Sequence, residues 1–265
     1  MSPDGAEEFR VTLDGVHLAF GDRRVFDEMS IGFPRGKITV VLGGSGGGKS
    51  TLLRLIGGLQ RPDLGSVRVA GEDLAQLSNR DLFRARDRIG MLFQGGALLD
   101  SMTLFENVAL PLQEHTDLSE QDIAAEVSRR LVAVGLENTE QLFPRQLSGG
   151  MVRRAALARA VVTDPEIVLC DEPFSGLDPI NVRRIENVMV ELNRRIGITL
   201  ILTSHHVQSA FRMADRFAFL VDGKAHSLSP EDFRNSDHPA VVEFLEAESD
   251  DFVHPHAVAG DGSGG

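Results

Sequence analysis

Tryptophan and tyrosine are absent, cysteine occurs once, and lysine appears three times against 24 arginines. With a single thiol, Cys170, no internal disulfide can form; following Ile167, Val168 and Leu169 it reads as a small buried apolar residue, in keeping with a reducing compartment. No apolar run approaches the roughly 18–20 residues of a membrane-spanning helix, and the opening MSPDGAEEF lacks the basic region and apolar stretch of a secretory signal. The chain is therefore expected to be soluble and not exported. Positive charge is also scarce: a formal net charge of -12 argues against a surface built to neutralise nucleic-acid phosphates, and no nucleic-acid partner is expected. What is present is a chain of 265 residues, 42% hydrophobic, enough to bury a full core as one large domain or as a domain carrying an inserted lobe.

Short apolar runs bounded by turn residues alternate with helical patterns, the arrangement of a parallel sheet covered by helices. Strands are expected at Val16–Phe20, Ile38–Leu42, Ile89–Phe93, Ile167–Cys170, Leu200–Thr203 and Phe217–Val221. The unbroken runs IVLC and LILT predict strands buried on both faces, whereas the alternation of Val16, Leu18 and Phe20 predicts a half-exposed antiparallel sheet at the edge of an α/β core. Between Phe93 and Ile167 no buried strand is legible, and Leu118, Ile123, Val127, Leu131 and Val134 mark one helical face. A helical lobe over about residues 95–162 is expected there. Thr103 with Glu106, Ser119 with Asp122, and Ser229-Pro230-Glu231-Asp232 are helix-start signals. The last dozen residues, ending in GDGSGG, read as a disordered tail or a cloning remnant.

After the strand Ile38–Leu42 come Gly43, Gly44, Ser45, Gly46, Gly47, Gly48, Lys49, Ser50 and Thr51, then the apolar helix pattern Leu52, Leu53, Leu55, Ile56. Glycines let successive backbone N–H groups turn inward around a phosphate, and the helix N-terminus adds the positive end of its dipole. In this context Lys49 reaches the β- and γ-phosphates of a nucleoside triphosphate and Ser50 offers its hydroxyl to Mg²⁺. A ligand-free glycine turn does not explain lysine at the one position that needs it, in a chain that otherwise uses arginine. ATP and Mg²⁺ are the expected cofactors.

Further along, IVLC is followed by Asp171-Glu172, two carboxylates at the exposed end of a buried strand, where one can orient a Mg²⁺ shell and the other polarise an attacking water. LSGGM at 147–151 opens a strong helix former, so Ser148, Gly149 and Gly150 would make a second anion site at a helix N-terminus. Gln94 follows a strand and begins the helical lobe, within reach of the metal or the water, and His205 follows the strand LILT, from which its ring can contact the γ-phosphate. Phosphate loop, Gln94, LSGGM, IVLCDEP, SGLD and Ser204-His205, in this order over about residues 10–245, resemble an ABC-type ATPase.

That resemblance implies an α/β P-loop NTPase core with an antiparallel β subdomain and an inserted helical subdomain, an ABC ATPase domain over residues 9–245 with an extension at 246–265. It assigns Asp171 to magnesium, together with Ser50 and Gln94, and Glu172 to the catalytic base. It implies that Lys49, Gln94 and His205 take part in hydrolysis, that Phe20 stacks on adenine, and that Asp178 couples two sites in a dimer. Each ATP would lie between one copy's Lys49 loop and the other's Ser148 loop, in a homodimer formed in the ATP-bound state. An acidic residue usually follows the histidine in this family; here His206 stands there, which leaves the hydrogen bonding around His205 open.

Residues 91–115, MLFQGGALLDSMTLFENVALPLQEH, with LSGGMVRRAALARA and DEPFSGLDPI, resemble the ATPases of the Mla and MCE phospholipid transport systems of Gram-negative bacteria. Gly95, Gly96, Ala97, Leu98, Leu99 and Met102 would form a surface against which a helix of a membrane subunit presses. The resemblance implies an ATPase peripheral to the cytoplasmic side of the inner membrane. Its partners would be an integral-membrane permease, a STAS-domain protein and a periplasmic MCE-domain protein, with an extension beyond Phe244, anchored by Phe252, reaching the neighbouring copy. An ABC ATPase for another cargo, lipoprotein or amino acid, a soluble ABC protein acting on nucleic acid, and a nucleotide-binding regulator that does not turn over are the competing readings.

Overall fold

The computed structural model describes residues 8–249; the first seven residues and the tail with Phe252 and GDGSGG lie outside them. A first sheet is antiparallel, with β1 (Phe9–Phe20) between β2 (Arg23–Pro34) and β4 (Leu64–Val69), and β5 (Glu72–Asp73) beyond β4. A second sheet contains β3 (Ile38–Gly43), β6 (Ile89–Leu92), β7 (Ile167–Cys170), β8 (Thr199–Thr203), β9 (Arg216–Val221) and β10 (Lys224–Leu228). Its order is β10-β9-β3-β8-β7-β6, parallel except for β10. The helices are α1 (Lys49–Ile56), α2 (Asn79–Arg86), α3 (Leu104–His115), α4 (Glu120–Ala133), α5 (Gly149–Val161), α6 (Pro179–Ile196), α7 (Val207–Met213), α8 (Pro230–Arg234) and α9 (Pro239–Ser249).

The unbroken apolar strands have their cause in this layering. Along β8, Leu200 and Leu202 belong to the core shared with α5 and α6, while Ile201 belongs to the core shared with α1 and the antiparallel sheet. A strand covered on both faces has no position to give to a polar side chain. The antiparallel sheet is covered on one face only, and its pattern is harder to read. Register shifts lie between Leu13 and Val16, where Gly15 has a φ of 56°, and Glu28 in the partner strand has a φ of 55°. Such bulges break the period of two, which is why β2 and β4 are not legible as strands and why Phe20, 50% exposed, does not share the buried face of Val16 and Leu18; β5, two residues long, is too short to carry a period.

Between β6 and β7, helices α3, α4 and α5 pack around a core of their own containing Leu104, Val108, Leu112, Ile123, Val127, Leu131, Ala155 and Ala158. Leu118 is a correction to the expected helical face: it precedes the N-cap Ser119 and is exposed. The cap of α3 is the box read from the sequence, with Thr103 Oγ1 accepting from Glu106 N and Glu106 Oε2 accepting from Thr103 N.

Asn107, fully buried in α3, has no counterpart in the sequence reading. Its Oδ1 accepts from Leu99 N at 2.7 Å, and its Nδ2 donates to the carbonyls of Leu99, Met102 and Thr103 at 2.9–3.1 Å, tying residues 99–103 to the helix. Asn107→Ala leaves Leu99 N and Met102 O without their partner, while Leu99 O and Thr103 O keep backbone bonds from Met102 N and Asn107 N, and it is expected to cost about 2–3 kcal/mol. Thermal unfolding will read the loss. Hydrogen exchange at the Leu99 amide is expected to accelerate with it.

Candidate functional site

At the C-terminal end of β3 the chain turns through residues 43–48 into α1. Gly48 caps the helix with a φ of 94°, and a Cβ there would meet the Phe26 and Val25 side chains at 2.9 Å, so no other residue fits. Lys49, 7% exposed, folds back over the loop and donates to Gly43 O at 2.8 Å and Gly44 O at 3.0 Å. Burial lowers the pKa of its ammonium from the usual lysine value, with the charges of Glu172 and Asp171 working against that loss.

Behind the loop, Asp171 Oδ1 accepts from both Ser50 Oγ at 3.0 Å and Thr203 Oγ1 at 2.8 Å. Thr203 Oγ1 in turn accepts from Glu172 N at 2.9 Å, so the ends of β3, β7 and β8 are laced together by side chains. Glu172 has a φ of 47°, a left-handed conformation for a residue with a Cβ. Its Oε1 is buried and lacks an aligned hydrogen bond, although His205 Nε2 lies 3.2 Å away. Cys170, just before this pair, is fully buried and burial pushes its thiol pKa up, as befits an inert apolar residue.

These groups surround one cavity of about 410 Å³. Of the residues singled out from the sequence, Phe20, Ser45, Gly46, Gly48, Lys49, Ser50, Thr51, Gln94, Glu172 and His205 line it, while Asp171 stands just behind Ser50. Phe20, at the end of β1, is half-exposed on the cavity wall. Arg23, Val25 and Ser175 line the cavity as well, and sequence reading missed them. Arg23 is notable because its Nη2 donates to Gly46 O at 2.7 Å, joining the turn after Phe20 to the phosphate loop. Only its place three residues after the aromatic hinted at this.

Ser148, Gly149, Gly150 and Asp178 are not among the residues lining that cavity. Ser148 caps α5, its Oγ accepting from Met151 N at 3.3 Å, and a Cβ at Gly150 would meet Asn181 at 2.5 Å. Asn181 in turn bonds Asp178, the cap of α6, whose carboxylate accepts from the Ile180 and Asn181 amides at 3.0 Å. The side-chain hydrogen bond from Asn181 holds Asp178 below the usual carboxylate range. The two segments LSGG and SGLD thus meet each other, a juxtaposition that no motif spacing announces. His206 answers the question its position raised: its N–H donates to Ser204 Oγ at 2.9 Å and its ring stands edge-on to Phe174, leaving His205 facing Glu172.

Residues 26–175 match the ABC transporter family. The chain is 44% identical over 231 residues to the "Intermembrane phospholipid transport system ATP-binding protein MlaF" of Haemophilus influenzae, covering 87% of this chain and 88% of that protein. It is 39% identical over 236 residues to the "Probable ribonucleotide transport ATP-binding protein mkl" of Mycobacterium tuberculosis, covering 89% of this chain and 66% of that one. Its fold is similar to that of the ATP-binding cassette MJ0796, solved as a dimer in a post-hydrolysis state bound to ADP and Pi, with a TM-score of 0.76 and 29% identity over 83% of this chain and 98% of that one. With a phosphate loop, a carboxylate pair and a signature helix on such a scaffold, the chain belongs to the ABC transporter family as an ATP-binding subunit that hydrolyses ATP.

Proposed function

We propose that this chain powers the movement of phospholipid between two membranes, acting as a head-to-tail pair that encloses ATP and Mg²⁺. The observation that carries the cargo is the 44% identity, over nearly the whole length of both chains, to a protein named for intermembrane phospholipid transport. The more distant relative named for ribonucleotide transport supports the second reading, an ABC ATPase with another cargo.

The geometry is consistent with the pairing that the family resemblance implies. Ser148 and its bare glycines sit at the N-terminus of α5, outside the cavity of Lys49, so within one copy this second anion-binding end has no triphosphate to meet. A second copy supplies one, with Asp178 beside Ser148 at the junction. Within the cavity, Lys49 and the loop amides hold the β- and γ-phosphates, and the Phe20 ring stacks on the base. The oxygens of Ser50 and Asp171 with the Gln94 amide are hard donors that suit Mg²⁺, an ion that binds through one carboxylate and substrate phosphates. Bound there, Mg²⁺ neutralises charge on the phosphate oxygens. Glu172, which lines the cavity, takes the proton of the attacking water, and His205, 3.2 Å from its buried Oε1, lines the same cavity, where its ring can meet the γ-phosphate.

The functional domain spans residues 9–245, with the inserted helical lobe over about residues 95–162; the extension 246–265 lies, from residue 250 on, outside the described residues. Among the described residues no helix is long and apolar enough to cross a membrane. The membrane path in this reading is a permease partner, with this chain peripheral to it on the cytoplasmic side of the inner membrane. Of the surface expected from residues 95–102, Leu99 is exposed, and a cleft between the edge strand β6 and α3, lined by Phe93, Leu110, Pro111 and His115, would be a further place for a helix of the permease. Gly96 and Leu98 turn inward instead. STAS- and MCE-domain proteins complete the assembly.

The test is reconstitution. The chain purified with its membrane partners is expected to transfer fluorescent phospholipid between two vesicle populations only with ATP and Mg²⁺. Recovery with a nucleotide or amino-acid permease, and no lipid transfer, would overturn the cargo; salt-sensitive binding to DNA would revive a nucleic-acid role.

A further inference from the structure

Helix α5 lies beneath the loop that follows Gln94. Gly95 and Gly96 have φ of 89° and 87°, and a Cβ at Gly96 would meet Val152 Cγ1 of the helix at 3.0 Å, so the loop rests directly on α5. Arg159 of the same helix donates to Gly96 O at 3.1 Å. Nearer Ser148, Arg153 is 8% exposed and reaches in two directions. A Cβ at Gly95 would lie 3.9 Å from its Nη1, and its Nη2 donates to Ser175 O at 3.4 Å. Ser175 N donates to Glu172 O at 3.2 Å, closing the turn that begins at the strained Glu172.

The guanidinium is otherwise ill-served. Its Nε has no partner, and no carboxylate among the described residues pairs with it. The comparably buried Arg130 differs, since it holds both Glu126 and Asp164. A buried cation without a counter-charge weakens a fold relative to an apolar side chain of similar length, so packing alone gives no reason for arginine here. What the position offers is a side chain on the helix that begins at Ser148, bonded to the turn of Glu172 and close to the loop of Gln94.

We infer that Arg153 is a positioning residue for ATP hydrolysis, transmitting the placement of the Ser148 helix to Gln94 and to the Glu172–Ser175 turn. It does not line the nucleotide cavity, so it acts on turnover and leaves nucleotide binding alone. The inference rests on hydrolysis at the Lys49 cavity.

The experiment compares Arg153→Met and Arg153→Lys in the full chain, in the assembly with which it purifies. For Arg153→Met, kcat is expected to fall about 10–100-fold with KM for ATP within about 3-fold of the parent, because a small displacement of reacting groups suffices for such a loss. Its Tm is expected to hold or to rise by about 2–4 °C, since an unpaired buried charge has gone. Arg153→Lys keeps the charge and is expected to recover kcat to within about 5-fold. A Met variant with the parent's kcat overturns the inference. So does one that loses stability and activity together, or fails to fold, because Arg153 would then be a structural residue. An unmodified chain that does not hydrolyse ATP at all would count against the proposed function rather than against Arg153.

Discussion

Glu172→Gln is expected to lower ATP turnover by about 10²–10⁴-fold while leaving ATP affinity within about 3-fold. Glutamine has the size and shape of glutamate, so the turn at φ 47° and the bond from Glu172 N to Thr203 Oγ1 survive the change. Lys49, Phe20 and the loop amides, the groups proposed to hold the nucleotide, are untouched. What disappears is the basic carboxylate on the cavity wall, the group able to accept a proton from water. Binding without hydrolysis is also expected to trap the pair: with Mg²⁺ and ATP, the variant should elute as a dimer on size exclusion where the parent returns to monomer. Measured turnover equal to the parent's would remove Glu172 from the role of base. Loss of ATP binding in parallel would show that the carboxylate serves the architecture of the loop instead.

The largest effect on stability is expected far from the nucleotide. Gly90→Ala places a methyl group 1.9 Å from Ala160 O and 2.9 Å from Ala160 C, both backbone atoms of α5 near its C-terminal end. Neither can swing aside as a side chain would. Strand β6 is the outermost of its sheet and pairs only with β7, through Gly90 opposite Val168 and its neighbours, so the strand or the helix must shift as a unit. The expected loss is about 3 kcal/mol or more. In a chain of this size that corresponds to a fall in Tm of about 6–12 °C. Calorimetry of the purified variant will measure it, and a Tm within about 2 °C of the parent would show that the helix and strand are not in the contact described. Because α5 begins at Ser148, hydrolysis is expected to suffer as well.

The parts of this protein legible without coordinates are those whose chemistry is local. A buried strand advertises itself by an apolar run, as in IVLC and LILT, because both faces are covered. The start of α3 shows in Thr103 and Glu106, because the cap is made within four residues. The phosphate loop shows because its glycines, Lys49 and Ser50 must be consecutive to surround one phosphate chain. By contrast, β2 and β4 escape notice, since bulges break the alternation that would mark them. Asn107 looks like any helical asparagine until the segment it ties down is folded against it.

The sequence by itself determined that this chain binds a nucleoside triphosphate and carries the ordered motifs of an ABC ATPase, because each motif is a short run whose residues act on one another directly. Tertiary structure decided the rest, through contacts between residues far apart in the chain. It set Thr203 and Ser50 on Asp171, placed His205 3.2 Å from Glu172, and kept Ser148 and Asp178 together but out of the Lys49 cavity. It also buried Arg153 against the turn that begins at Glu172. No periodicity or spacing encodes such meetings; they depend on which strand ends the parallel sheet brings side by side.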